Sequence, residues 1–235
     1  MFDAAVDPTK CTNKCANVYS ITYRYDQDGF LAGALAGLLE TTPGIERLKR
    51  KGVVGVVGGQ DIPVIDQYIA GFKAGVKFTA PNVKVLSAFA GSFNDPVKGR
   101  AVAADMVNQG AEVLYTAAGA TDQGVFEAAA AGDVWAIGNA AGQAQGASAK
   151  VNGKDAVITA ADTNIISSLA DAVVLEAQGK LPVGTTRSYG VDNGAVSIVD
   201  SATYQRVVPA AVRTRITTIT QELKDGKHAE LLSGK

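Results

Sequence analysis

Residues 53–76 read VVGVVGGQDIPVIDQYIAGFKAGV, and their periodicity changes partway along. The run from Gly52 to Val57 is apolar without interruption, as a strand buried on both faces requires. From Ile62 onward, Ile65, Ile69, Phe72 and Val76 recur at intervals of four, three and four, which places them on one face of a helix. A strand, a glycine turn and a helix invite a nucleotide-binding reading, but the spacing argues against it. GVVGG is not G-x-G-x-x-G, no acidic residue ends a second strand about 20 residues later, and the phosphate-binding lysine of G-x-x-x-x-G-K-[ST] is missing. Gly58 and Gly59 therefore read as a tight strand-to-helix turn, with phosphate binding as the less favoured alternative.

The same alternation continues outward. VKVLSAFAG (83–91) reads as a second strand, followed by DPVKGRAVAADMVNQG (95–110), with Pro96 in the first turn of a helix and Gly110 just past its end. AEVLYTAAG (111–119) is a third strand, a helix runs from about Asp122 to Ala131, and VWAIGN (134–139) is a fourth strand. Four strands joined by three helices imply right-handed crossovers in a parallel sheet. Before this unit lie a strand in NVYSITYRY (17–25), a small-residue helix in DGFLAGALAGLLETT (28–42) and the basic connection RLKRKG (47–52). After it come a strand in DAVITAAD (155–162), an amphipathic helix in NIISSLADAVVLEAQGK (164–180), a strand in GAVSIVD (194–200) and a closing helix over 203–225.

Composition limits what such a chain does. With 22 basic and 23 acidic side chains the net charge is 22 − 23 = −1, which gives no broad attraction to nucleic acid or anionic lipid. No apolar run approaches the roughly 18 to 20 residues of a membrane helix. The first 26 residues lack the basic and apolar regions of a signal peptide. Cys11 and Cys15 have no histidine nearby to complete a zinc set, so a local disulfide and two free thiols both stay open. The single histidine, His228, lies in the polar stretch KDGKHAELL and reads as solvated, so neither a Ser-His-Asp nor a Cys-His arrangement is expected. No metal-ligand spacing is present, and neither metal nor cofactor is expected. Binding is favoured over catalysis.

In open parallel sheets ligands bind outside the carboxyl ends of the strands. Four loops qualify: GGQDIP (58–63), AGSFNDP (90–96), AAGATDQG (117–124) and GNAAGQ (138–143). They offer Ser92, Phe93, Asn94, Thr121, Asn139 and Gln143, with Lys98 the nearest cation. Hydrogen-bonding groups and one aromatic face suit a neutral polyhydroxylated or heterocyclic ligand, and the shortage of cations argues against a phosphorylated one. Helix capping by Asn94, Asp95 and Asp122 is the competing structural explanation.

The loops and their flanks resemble the basic membrane protein family, nucleoside-binding lipoproteins of ABC transporters. The family pattern runs as a V-G-x-V-G-G turn, I-P-V-I, A-G-F-x-A-G-V, G-S-F-x-D-P, then Q-G-A-D-V, A-A-G-G-T-G and G-V-F-E-A-A; this chain follows it with QGAEV (109–113) and AAGATD (117–122) in place of the fifth and sixth segments, and the likeness extends back through NVYSITYRYDQDGFLAGALAGLL and more weakly to YGVDNGAVSIV. The resemblance implies an α/β, type I periplasmic-binding-protein-like fold. Two Rossmann-like lobes with parallel sheets would be joined by three crossovers and close on a purine nucleoside or similar ligand. The partner would be an ABC permease, and the location periplasmic or cell-surface. On this basis residues 1–49 and 157–187 form a partial first lobe, and 50–156 and 188–235 the second. Asp7 would end a strand of lobe one facing the cleft; Phe93, Asn94, Gly119, Thr121 and Gln143 would face it from lobe two, with Asn139 and Thr163 as further ligand contacts.

The departures from the pattern bear on the ligand. Where the family has I-G-V-D-x-D-Q this chain has IGNAAGQ, so Ala140 and Gly142 replace two acids, and the family lysine after the next strand is Thr163 or Asn164. A carboxylate lost from sugar hydroxyls costs on the order of 1 to 3 kcal/mol per unpaired group. The family's signal peptide, lipid-bearing cysteine and opening strands of lobe one also have no counterpart in these residues. This implies a fragment, or an incomplete first lobe whose open edge favours a homodimer or another partner, with the membrane reached only through a lipid anchor outside this chain. A receptor-like or regulatory module of the same fold is the alternative to solute capture.

Overall fold

A computed structural model describes Met1 and residues 3–232. After a 3-10 turn at Pro8–Lys10, chain order gives β1 (Ser20–Tyr23), α1 (Tyr25–Thr41), β2 (Val53–Gly58), α2 (Pro63–Thr79), β3 (Lys84–Phe89) and α3 (Pro96–Asn108). Next come β4 (Val113–Ala117), α4 (Asp122–Gly132), β5 (Trp135–Gly138) and a small hairpin, β6 (Lys150–Val151) with β7 (Lys154–Asp155). The remainder is β8 (Val157–Thr163), α5 (Ile165–Ala177), β9 (Thr186–Tyr189), β10 (Val196–Ile198), α6 (Ala202–Val207), α7 (Ala210–Lys224) and α8 (Ala229–Leu232).

Six strands form the main sheet in the order β10-β8-β5-β4-β2-β3, parallel throughout except for β10, which runs antiparallel to β8. The uninterrupted apolar strands follow from helices on both faces. Val54, Val56, Val113, Tyr115 and Ile137 point into one core with α1, α2 and α7, whereas Val57, Leu114 and Ala136 point into the other with α3 and α4. Ile65, Ile69, Phe72 and Val76 are all buried, so the helical face legible in the sequence is the one that seats α2. Asp95 caps α3 by accepting from the N–H groups of Val97 and Lys98, and Pro96 takes the first helical position, where its missing N–H is not needed.

Helix α1 is buried nearly all round and meets α2 backbone to backbone. A Cβ on Gly33 would stand 2.1 Å from the carbonyl oxygen of Phe72, and one on Gly75 2.1 Å from that of Phe30. Only glycine allows this approach.

Two sequence expectations change, and the state of the cysteine pair, open in the sequence, is decided. Strand β8 pairs with β5 through Gly138 and Ala160, and α1 packs on α2 and borders β4 and β8, so boundaries at 49/50 and 156/157 would divide one sheet and one helix pair. The physical reason is that β8 is buried along nearly its whole length as an inner strand between β10 and β5, while the glycines of α1 fit against α2. Apart from the main sheet and the β6–β7 hairpin, β1 pairs in parallel with β9, beside α5, whose buried Ser168 bonds the Tyr23 hydroxyl at 2.5 Å. The closing helix is two helices, because Pro209 cannot donate into a continuous turn and becomes the N-cap of α7. Cys11 and Cys15 are joined in a disulfide.

Candidate functional site

The carboxyl ends of β2, β3, β4, β5 and β8 lie along one edge of the main sheet, and the candidate residues gather there through specific links between loops. At the end of β2, Gly59 has no side chain because the Phe93 ring occupies that space: its carbons lie 2.3 Å from where a Cβ would stand. Phe93 also borders Gly119, which takes a φ of +62°, with the Phe93 carbonyl oxygen 3.0 Å from the position of an added Cβ. Thr121 is fully buried and ties two loops together, accepting from the Asp95 N–H at 2.9 Å and donating to the Ser92 carbonyl at 3.0 Å. Asn94 is exposed beside them, its N–H donating to the Ser92 hydroxyl.

A second cluster sits between β4 and β5. Asp122 is buried and accepts from Thr116 Oγ1 at 2.6 Å, the Ala118 N–H at 2.8 Å and Gln143 Nε2 at 2.8 Å. Burial pushes its carboxyl above the ordinary range, against these hydrogen bonds, which pull it down. Gln143 turns its Oε1 to the N–H groups of Asn139 and Ala140, so both ends of its amide are engaged within the protein. Gly119 and Gln143 line one depression of about 230 Å³ together with Asp122, Phe126 and Gly142. Asn139 is half-buried at the start of the same loop.

The third cluster was not foreseen. Thr163, at the end of β8, donates to Asp28 Oδ2 at 3.0 Å, and the Tyr115 hydroxyl donates to Asp28 Oδ1 at 2.8 Å. Asp28 is completely buried, and burial pushes its carboxyl up to about 7 despite those two bonds. Adjacent on β8, Asp162 Oδ1 accepts from the Ala141 N–H at 2.7 Å. A signal for Asp28 was available: in a helix whose other positions through Leu39 are almost all apolar or small, an acid two residues before Phe30 has little chance of facing water.

Two site expectations are overturned. Asp7 ends no strand; it is exposed and caps the 3-10 turn Pro8–Lys10, accepting from the N–H and hydroxyl of Thr9, which also hold its carboxyl below the usual range. It makes no contact with the other candidates. His228 is not solvated: it lies against Phe30 and Phe78 and bonds Glu222 at 3.0 Å, because α8 folds the chain back onto α1 and α2. Among the described residues no group of His, Cys, Asp and Glu could hold a metal ion, and no helix is long and apolar enough to cross a membrane.

A sequence profile of the family described as ABC transporter substrate-binding protein, PnrA-like, matches residues 1–227. The chain is 31% identical over 220 residues to a CD4+ T-cell-stimulating antigen of Listeria monocytogenes, covering 89% of this chain and 58% of that protein. It is 29% identical over 226 residues to the ABC transporter nucleoside-binding protein BmpA of Lactococcus lactis, covering 90% of this chain and 59% of that one. The chain thus spans less than two thirds of the length of these relatives. Among solved structures, an ABC transporter solute-binding protein from Conexibacter woesei superposes with a TM-score of 0.70 at 26% identity, over 90% of this chain and 64% of the other.

Proposed function

This chain belongs to the family of PnrA-like substrate-binding proteins of ABC transporters, and from that premise we propose that it captures a small neutral solute of nucleoside type at the carboxyl edge of its main sheet. What supports the reading is that Phe93, Asn94, Gly119, Thr121, Asn139 and Gln143 lie on strand-end loops that hold no lysine or arginine, with Thr163 at the end of β8 beside them. An aromatic face backed by amides and hydroxyls suits a heterocycle with a sugar, and absent cations disfavour a phosphate. The relative from Lactococcus is named for nucleoside binding. Phe93 would stack on the base. Gln143 and Thr121 would act by holding the loops, since their polar atoms are engaged, which leaves Asn94 and Asn139 as the side chains free to meet the ligand.

Capture would be reversible, with the ligand stabilising an approach of the β1–β9 segment to the main sheet by hinge motion. Delivery to an ABC permease and an exported location go with this reading, and a homodimer would cover the open β1–β9 segment. Thermal unfolding with nucleosides, nucleobases and sugars tests it. A nucleoside at 100 times its Kd adds about 2.7 kcal/mol, which raises Tm by several degrees in a chain of this size. Stabilisation by another solute and by no nucleoside would remove the nucleoside assignment. Nucleoside cleavage would replace capture with catalysis.

A further inference from the structure

The loop after β5 lacks acids, since Ala140 and Gly142 stand where the family pattern has carboxylates, yet a carboxylate reaches it from the neighbouring strand. Asp162 is the penultimate residue of β8, two residues beyond Ala160, which forms the last register pair with β5. It therefore stands past the end of β5, at the carboxyl edge where the candidate loops gather. Its Oδ1 accepts from the Ala141 N–H at 2.7 Å, which fixes the carboxylate beneath the turn Ala141–Ala144. Asp162 is half-buried; among the described residues that is its only side-chain hydrogen bond, and the charged group near it is the Asp28 carboxyl, with no cation paired to it. A carboxylate has about four acceptor positions, so most of its capacity remains. The polar neighbours are committed elsewhere: Thr163 to Asp28, and Asn164 to capping α5 through the Ser167 N–H.

We infer that Asp162 accepts hydrogen bonds from the sugar hydroxyls of the ligand, taking over from another strand the role that the loop 138–143 cannot fill; this rests on the capture reading above. Two adjacent hydroxyls present two donors to one carboxylate, a match that an amide, with one acceptor oxygen, reproduces only in part. The competing role is purely structural. Ala140 has no side-chain acceptor, and Asp162 would then serve only to cap the turn.

Asp162→Asn separates the two roles, because its Oδ1 still accepts from Ala141 while the charge and the second acceptor are lost. Calorimetric titration of wild type and variant with inosine and with 2′,3′-dideoxyinosine is the test, with Tm measured on both proteins. The expected result is an inosine affinity lowered about tenfold or more, an unchanged dideoxyinosine affinity and an unchanged Tm. Equal inosine affinity in both proteins overturns the inference and leaves solute capture standing, as does an equal loss for both ligands. A wild type that binds neither compound overturns the inference together with the nucleoside reading, and a wild type that also binds no solute of the wider panel overturns capture itself.

Discussion

Asp28 has the environment that most alters a single residue's chemistry in this chain. Its carboxyl is completely buried between α1, β4 and β8 and titrates near 7 rather than near 3.8, because burial disfavours the charged form. The folded state therefore holds this proton more tightly than the unfolded state does. Stability is highest while both states are protonated, declines as pH rises from about 4 to about 7, and is flat above that. The rise corresponds to at most on the order of 4 kcal/mol. Asp28→Asn keeps an oxygen for Tyr115 and gives Thr163 an N–H to accept, while removing the titration. Chemical denaturation at pH 5 and pH 8 should show the variant losing much less stability than wild type between the two. An equal loss would place the pH dependence elsewhere, first at Glu40, which burial pushes up to about 7 with the Glu112 charge beside it, and at Asp122.

Contact between elements is tightest where α1 crosses α2. Alanine in place of Gly33 gains about 1 kcal/mol of helix propensity but brings a methyl within 2.1 Å of the Phe72 carbonyl oxygen, so the helices must separate. Such overpacking costs about 1–3 kcal/mol. Gly33→Ala should therefore lower Tm by several degrees, whereas Gly142→Ala, which meets nothing within 4 Å, should leave it close to wild type. A rise in Tm for Gly33→Ala would mean that the helices are further apart than described. The pair also shows what was legible in the sequence. The face of α2, the capped start of α3 and the parallel sheet of β2 to β5 all follow from local patterns, because each depends on residues within one element. The placement of α1 does not. A helix apolar all round indicates burial without saying against what, and Gly29, Gly33 and Gly37 acquire a partner only once Gly71 and Gly75 lie opposite. At the site the loops were legible from strand ends, but the roles of Gln143 and Thr121 as ties between loops, and of Asp28 and Asp162, depend on residues 21 to 135 positions apart in the chain.

On the scale of the whole molecule, the main sheet is covered on both faces, and β1 is buried as well, while β9 beside it is exposed over Thr186, Arg187 and Ser188. Two parallel strands are too few to be stable alone. Helix α5 beside them turns Ile166, Leu169 and Val173 outward at intervals of three and four, with Ile166 80% and Val173 68% exposed. This is a continuous apolar stripe, and its only buried residue is Ser168. A surface of this kind associates when nothing else covers it. Two copies meeting along the exposed strand β9 and the α5 stripes would bury it symmetrically, as closed dimers do. Light scattering on the chromatographed chain at about 100 μM should give twice 24.1 kDa. Ile166→Lys with Val173→Lys should return it to a monomer of unchanged near-ultraviolet circular dichroism, since both positions face solvent in the single chain. A wild type that is monomeric at that concentration would remove the dimer. A dimer that survives both lysines would move the interface off α5, to another surface such as the open edge of β3.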